Sequence, residues 1–415
     1  MALQGPIVVV SESTVPRLVD ALAKAGAFPI VEARWVDAVA AITSVEPAGV
    51  IVAQTEPVDP KIAAAFERRI GLIKPFVPIV ALVQDDAPLP HPAALPIATD
   101  APVERMIARV AAAQRVRDMH ATVLRRSQGL ADEGATFPVL PTSDPLEDAT
   151  VLVLGRGGSY PTLSVAVGER VGVIGALSME AAGRCLSARE SDGIVIGDGF
   201  SPKIIDGFLQ VLAEDARFRD LAVGTLGDGF LPEQMPNVLR ERNPVQLVAR
   251  TLPLVRLHAL DARLKRMLKS LECKGMIDPE TGLLNEDSFG QDLTRAVDVA
   301  AERGNGLSIA RFAFEGPNDR RTSLDAARVV SRLMRKVDFA CRQDDGSILT
   351  VFTGTDLRAA HVVARRLASV LKQTMLRSNR EQPPAGPSVT LATLKPSDTV
   401  LTLMARVSQR AVAAE

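Results

Sequence analysis

Aromatic side chains are scarce in this chain, which has a single tryptophan, Trp35, and a single tyrosine, Tyr160. A surface that stacks successive bases needs several exposed rings, so the shortage argues against a platform for single-stranded nucleic acid. Cysteine is equally sparse. Cys185, Cys273 and Cys341 are odd in number and far apart, which suits a reducing compartment and offers no metal-ligand spacing. An excess of one charge is also missing. With 48 basic and 49 acidic residues the formal net charge is −1, which argues against a generally basic DNA-binding protein while leaving room for a local basic pocket. No apolar run reaches the ~18 residues that a membrane-spanning helix needs, and the first residues lack the basic-then-apolar pattern of a signal peptide. A cytoplasmic protein with no membrane insertion is expected.

What is present is a globular composition, 47% hydrophobic and 23% charged, over a length that suits about three domains. Ile7–Val10, Phe28–Val31, Val50–Ala53 and Pro78–Val83 read as buried strands, alternating with helical patterns at Thr14–Lys24, Trp35–Thr43, Lys61–Ile70 and Pro102–Arg117. Such alternation predicts an α/β domain with a parallel sheet covered on both faces. A Gly-, Pro-, Ser- and Thr-rich stretch over 127–148 reads as a linker. The pattern then begins again. Val151–Leu154, Val171–Ile174, Gly193–Ile196 and Leu221–Thr225 read as strands, with helices at Met179–Ser187 and Ile204–Glu214. The expected division is 1–126, a linker over 127–148, a second copy over 149–272, and a third domain over 273–415.

The βαβαβ order of both copies resembles the receiver domain of bacterial response regulators, a flavodoxin-like, doubly wound fold. The resemblance implies an acidic pair after the first strand for Mg²⁺, an Asp nucleophile after the third, a hydroxyl after the fourth and a Lys after the fifth. In the first copy Ser11-Glu12 keep one acid. Counting back from Pro57 puts Ala53 at the nucleophile position, and Val83 and Ala101 stand for the hydroxyl and the Lys, so this copy reads as a pseudo-receiver. In the second copy Gly155-Arg156 replace the acidic pair, but Asp198 follows the third strand with Pro202 four residues on. Asp198 is therefore a candidate phosphoacceptor. The plainer alternative is an Asp in a glycine-rich turn, where Asp is favoured for backbone reasons alone. Gly155–Ser159 (GRGGS) lacks both the third Gly of a dinucleotide fingerprint and the Gly-Lys-Ser/Thr of a P-loop.

From Val255 to Leu271 the apolar residues Leu257, Leu260, Leu264, Met267 and Leu271 recur at three and four, forming one helical seam. It can close the second domain, or serve as a stalk that packs on a second copy of the chain. A homodimer is the expectation.

Asp278–Phe289 (DPETGLLNEDSF) resembles the opening segment D-x-L-T-G-L-x-N-R-R-x-F of the GGDEF family of diguanylate cyclases. Asp278, Thr281, Gly282, Leu283, Asn285 and Phe289 match in register, while Glu280 replaces the Leu and Glu286-Asp287 the Arg pair. The family's order continues with a strand at Leu307–Phe314, a helix at Leu324–Val337, a hairpin at Phe339–Arg342 and Ile348–Phe352, a helix at Ala359–Leu371 and a strand at Val389–Leu394. Two receiver-like units before such a domain is the layout of the PleD- and PopA-type regulators of alphaproteobacteria. The resemblance implies two Mg²⁺ held by carboxylates on the first strand and in the hairpin. Here the strand position is Ala313, with Glu315 nearby, and the G-G-D/E-E-F signature aligns with Asp344, Asp345, Gly346, Ser347 and Ile348. The Tyr and Lys of the family's closing helix are absent from Ala405–Val412. No catalytic residue and no metal are therefore expected, and the chain reads as a degenerate, non-enzymatic member.

Many members also carry an inhibitory R-x-x-D that binds the product, cyclic di-GMP. Arg335-Lys336-Val337-Asp338 matches it, with the family's offset to the hairpin, and Arg366 stands where a second Arg contributes. Arg332 and Arg365 are candidate additional contacts, and Arg328, Arg332 and Arg335 would share one helix face. The residue types suit the ligand. A forked guanidinium meets guanine N7 and O6, a carboxylate accepts from N1 and N2, and phosphate pairs with Arg in bidentate fashion. An R-x-x-D at a helix end is also common by chance, and arginines opposite Ala326, Val330, Leu333 and Val337 can simply form the solvated face. The leading expectation is a non-catalytic cyclic di-GMP receptor that acts through protein partners. The layout implies recruitment of a protease adaptor for cell-cycle proteolysis at the cell pole. The alternative is a ligand-free scaffold. A dinucleotide-dependent enzyme built on Gly155–Ser159 lacks any accompanying catalytic constellation.

Overall fold

The computed structural model describes residues 3–53, 58–84, 87–132, 140–314, 320–378 and 386–408. The chain forms two compact units, one of Met1–His120 with Leu140–Lys265, the other of Ala121–Val139 with Arg266–Glu415.

The first unit holds both α/β repeats. Its first half runs β1 (Ile7–Val10), α1 (Pro16–Lys24), β2 (Ile30–Ala33), α2 (Trp35–Val45), β3 (Gly49–Val52), α3 (Pro60–Leu72), β4 (Ile79–Val83), β5 (Leu95–Ala98) and α4 (Val103–Asp132). The strands are parallel in the order β2-β1-β3-β4-β5. The second half runs β6 (Thr150–Leu154), α5 (Tyr160–Gly168), β7 (Gly172–Ala176), α6 (Met179–Ala188), β8 (Gly193–Ile196), α7 (Pro202–Glu214), β9 (Ala222–Leu226), β10 (Val238–Glu241) and α8 (Pro244–Glu272). Its order, β7-β6-β8-β9-β10, is the same 2-1-3-4-5 winding. Both are flavodoxin-like doubly wound sheets. The central strands are buried end to end, as IVVV and GVIV for β1 and β3 require.

Three elements of this unit were not legible in the sequence. β5 contains Pro96, which removes a ladder donor and is tolerated because β5 is an edge strand. β10 is a second short edge strand, and α5 opens on Tyr-Pro with Pro at its first turn. Both repeats also lack a helix between their fourth and fifth strands among the described residues.

Arginines of the terminal helices use those connections. Arg105 on α4 donates to the carbonyls of Pro232, Met235 and Val238, and Arg109 donates to those of Pro236 and Val238 and to its own repeat's Pro96. Burial, reinforced by Arg105, pushes Arg109 down to about 9. In return Arg250, on α8, pairs with Glu241 and donates to the carbonyls of Gln84 and Ala87. The two repeats are thus stapled to one another by guanidiniums aimed at carbonyls.

His120 closes this unit. Its ring stacks on Phe76 at 5.9 Å, and its Nδ1 accepts from the Phe76 N–H at 3.3 Å. Burial, then the nearby Lys74 and Arg117 charges, push it down to about 4 from an ordinary 6.5. The folded chain therefore holds the ring neutral where the unfolded chain protonates it. Its stabilisation is complete above pH 6.5 and declines as pH falls towards 4. In His120→Asn that part of the acid sensitivity is expected to vanish, as read from urea midpoints at pH 7 and 5.

The stretch expected as a linker begins later than its composition suggested, because α4 continues to Asp132, and residues 133–139 lie outside those described. Along the α8 seam Leu257, Leu264, Met267 and Leu271 are buried, and Leu260 is half-buried.

The second unit's sheet is built by α9 (Glu286–Arg303), β11 (Leu307–Ala313), α10 (Arg320–Leu333), β12 (Phe339–Arg342), β13 (Ile348–Thr353), α11 (Leu357–Ser378), β14 (Ser388–Thr393) and α12 (Val400–Ser408). Its antiparallel order β12-β13-β11-β14, with helices after the first and third strands, is the βαββαβ arrangement of ferredoxin-like α+β domains.

Candidate functional site

The Asp278–Phe289 segment fastens this domain's entrance to the hairpin. Asp278 accepts from the Glu280 N–H and the Thr281 hydroxyl, and Gly282 takes a positive φ of 72° to close the turn. The Leu284 N–H then bonds the Ala340 carbonyl in β12, and Asn285 caps α9 through the Ser288 N–H. The family-like residues here build structure.

The hairpin turn forms as Asp-Asp-Gly suggests. Gly346 has a φ of 81°, and the Gln343 and Gly346 N–H groups bond the Ser347 and Gln343 carbonyls. Asp345 accepts from the Ser347 N–H and hydroxyl and pairs with Arg311 of β11, whose Nε also reaches the Ser347 hydroxyl at 3.1 Å. Burial favours the neutral acid, but the Ser347 hydrogen bonds and Arg311 outweigh it and hold the Asp345 carboxyl below its usual range. A guanidinium therefore neutralises the hairpin acid. Ala313 ends β11, while Glu315 lies outside the described residues, as do residues 409–412 of the closing segment. Among the described residues no three His, Cys, Asp or Glu side chains are grouped to hold a metal.

At the other end of the hairpin, α10 stops at Leu333, four residues earlier than its apolar pattern suggested. Arg335 and Asp338 therefore do not share a helix face. They belong to a turn in which the Asp338 N–H bonds the Arg335 carbonyl at 3.2 Å. Asp338 is buried, and its Oδ1 accepts from the Thr353 N–H at 3.1 Å, while the Thr353 hydroxyl bonds the Val337 carbonyl. The carboxylate is thus oriented by the last residue of β13, and Arg335, three residues earlier in the same turn, is exposed. Arg328 leaves the proposed stripe, because it is held by the Glu280 carbonyl and Asp325.

Arg365 and Arg366 lie on the exposed side of α11, opposite Ala360, Ala364, Leu367 and Leu371, which face the core beside α10. Arg332 is exposed on the last turn of α10. Among the described residues, none of Arg332, Arg335, Arg365 and Arg366 has a carboxylate partner, whereas Arg328, Arg311 and Arg406 in the same domain do. The structure brings the R-x-x-D turn and these arginines onto two packed helices and the turn that follows the first.

Asp198 sits elsewhere, in the first unit, after β8. The Gly155–Ser159 turn and the glycine-rich turn at Gly197–Pro202 (GDGFSP), far apart in the sequence, meet there. Asp198 accepts from the N–H and hydroxyl of Ser159, and its carbonyl accepts from the Arg156 N–H. Arg156 also bonds the Gly199 carbonyl and lies over the Phe200 ring at 5.0 Å. A Cβ at residue 157 would come within 2.5 Å of the Asp198 carboxyl, so the closeness of the two loops requires Gly157. The Ser159 hydroxyl, chiefly, holds this carboxyl below its usual range. A carboxylate occupied by Ser159, with Arg156 where an acid would hold Mg²⁺, is set up as a loop clasp. Incubation with acetyl phosphate and Mg²⁺ is expected to leave the intact mass unchanged, and a phosphoryl adduct mapped to Asp198 would contradict this.

A further charged cluster lies in the second unit. Arg125 and Arg126, near the end of α4, both reach Asp292 on α9, and Arg126 also pairs with Glu272. Asp292 is 2% exposed. Its signal was present in the sequence, for it interrupts the apolar stripe Phe289, Leu293, Ala296, Val297, Ala300 with an acid.

No family model matches the chain, and neither does any curated protein. Solved structures of GGDEF domains are similar to part of it. The GGDEF domain of DgcB from Caulobacter crescentus, in complex with c-di-GMP, is 21% identical over 32% of this chain and 82% of that one, with a TM-score of 0.29. The FimX GGDEF domain from Pseudomonas aeruginosa is 18% identical over 32% of this chain and 88% of that one, with a TM-score of 0.28. Diguanylate cyclase SiaD from Pseudomonas aeruginosa, in complex with its activator SiaC, is 18% identical over 35% of this chain and 62% of that one, with a TM-score of 0.29.

Proposed function

We propose that this chain is a non-catalytic receptor for cyclic di-GMP, binding the dinucleotide at Arg335, Asp338 and Arg366, with Arg332 and Arg365 adding charge. The observation that carries the reading is a contrast inside one hairpin. At its tip Asp345 is neutralised by Arg311, while at its base an oriented carboxylate ends the turn that begins at Arg335, and the exposed Arg332, Arg335, Arg365 and Arg366 have no carboxylate partner among the described residues. Unpaired guanidiniums on adjoining elements suit a compact dianion, which each can meet through two parallel hydrogen bonds. By its layout, which resembles that of the PleD- and PopA-type regulators, the chain works as a homodimer in which the dinucleotide changes how a protein partner, such as a protease adaptor, is held at the cell pole. Among the described residues no helix is long and apolar enough to cross a membrane.

One observation favours the scaffold alternative. Asp338 is buried and already accepts from Thr353, as a purely structural acid would. Isothermal titration of the full chain with cyclic di-GMP separates the two. Binding at low-micromolar concentration is expected, and its absence would leave the scaffold.

A further inference from the structure

Residue 339, one peptide bond beyond Asp338, is fixed from the interior. Phe339 is 1% exposed and pairs with Val351 in the β12–β13 ladder. Its ring meets Phe289 edge-on at 5.5 Å, and the Arg125 guanidinium lies over it at 5.3 Å. Arg125 is in turn fixed by the Asp292 carboxylate, which Arg126 also holds. Residues 121–132 of α4 thus belong to the C-terminal unit although the rest of that helix belongs to the first. Gly129 continues the docking, because a Cβ there would come within 2.7 Å of the Arg295 guanidinium.

We propose that Arg125 is a positioning residue for the cyclic di-GMP site, acting through Phe339, so that ligand binding and docking of residues 121–132 are linked. The inference rests on the receptor reading above. Asp338 closes the turn that leads by one peptide bond into β12, so a clamp on Phe339 fixes the backbone from which the Asp338 carboxylate projects. Hydrogen bonds to a guanine edge lose most of their strength within a few tenths of an ångström and a few tens of degrees. A guanidinium that can both lie flat on an aromatic face and fork onto a carboxylate is suited to this place, and an ammonium is not. Linkage is reciprocal: if docking of 121–132 improves the site, an occupied site must hold 121–132 more tightly.

Cyclic di-GMP titrations of the full-length wild type, Arg125→Lys and Phe339→Leu test this, together with amide hydrogen exchange over 121–132 with and without ligand. Arg125→Lys keeps a cation opposite Asp292, and Phe339→Leu leaves the ion pair intact, so the site is perturbed by two routes. Each is expected to weaken binding by about 5-fold or more, and ligand is expected to slow exchange over 121–132 in the wild type. If the wild type binds, but both variants bind equally well and exchange over 121–132 ignores the ligand, the linkage is false and the receptor reading stands. If the wild type does not bind, the receptor reading itself fails.

Discussion

Arg335→Ala is expected to weaken cyclic di-GMP binding by about 2–3 kcal/mol, or roughly 30- to 150-fold, while leaving the unfolding midpoint where it was. The asymmetry follows from exposure. Arg335 lies in solvent, beyond the end of α10, with no carboxylate partner among the described residues, so removing it breaks nothing in the free protein. In the complex it would supply a charge-assisted, two-point contact that no neighbour can replace from the same direction. Arg366→Ala, one helix away, is expected to act in the same sense and, like Arg335→Ala, to make binding less sensitive to salt, because each removes one cation facing the phosphates. Asp338→Ala makes a poorer probe. Its Oδ1 holds the Thr353 N–H, so a loss of binding there would mix ligand contact with a loosened hairpin. If Arg335→Ala binds like the wild type, the ligand sits elsewhere.

The fold was largely legible because its signals are strong ones. Four-residue runs such as IVVV and GIVI can only be buried strands when short helical patterns separate them, and those strands appear within a residue or two of their expected bounds. What escaped were the edge strands β5 and β10 and the helices α5 and α9. β5 carries Pro96, which reads as a strand breaker, and β10 is four residues long with a polar, half-buried second half. The candidate site was legible as residue types and only partly as geometry. The apolar positions Val330, Leu333 and Val337 extended the helical pattern through Arg335, but the chain turns after Leu333 so that Phe339 can enter β12. The Ser159–Asp198 clasp and the Arg125–Asp292 pair could not be read along the chain at all. They join residues 39 and 167 positions apart, and only the sheet order and the docking of α4 bring them together.

The largest effect on stability is expected at Asp292. Asp292→Asn preserves the shape of the side chain and removes the one carboxylate paired with Arg125 among the described residues, leaving a buried guanidinium without its counter-ion. Breaking a buried pair in this one-sided way typically costs about 3–5 kcal/mol. The loss should fall mainly on Arg125, because Arg126 retains Glu272 at 3.1 Å. Replacing both partners with apolar residues, as in Arg125→Met with Asp292→Leu, is expected to recover much of the loss, since no charge is then stranded. The pH dependence has a definite sign. Burial pushes the Asp292 carboxyl up, but Arg125 and Arg126 together outweigh burial and hold it below its ordinary 3.8. The unfolded chain therefore takes up the proton first as pH falls. The contribution of Asp292 is complete above 3.8 and is lost as pH drops through the folded-state value, whereas Asp292→Asn has no such component to lose. Urea unfolding of the full chain at pH 7 and pH 3, followed by hydrogen exchange over 121–132 and 286–303, reads both effects. A cost below about 1 kcal/mol at pH 7 would mean that water reaches Arg125 and that the cluster is not the buried anchor its geometry describes.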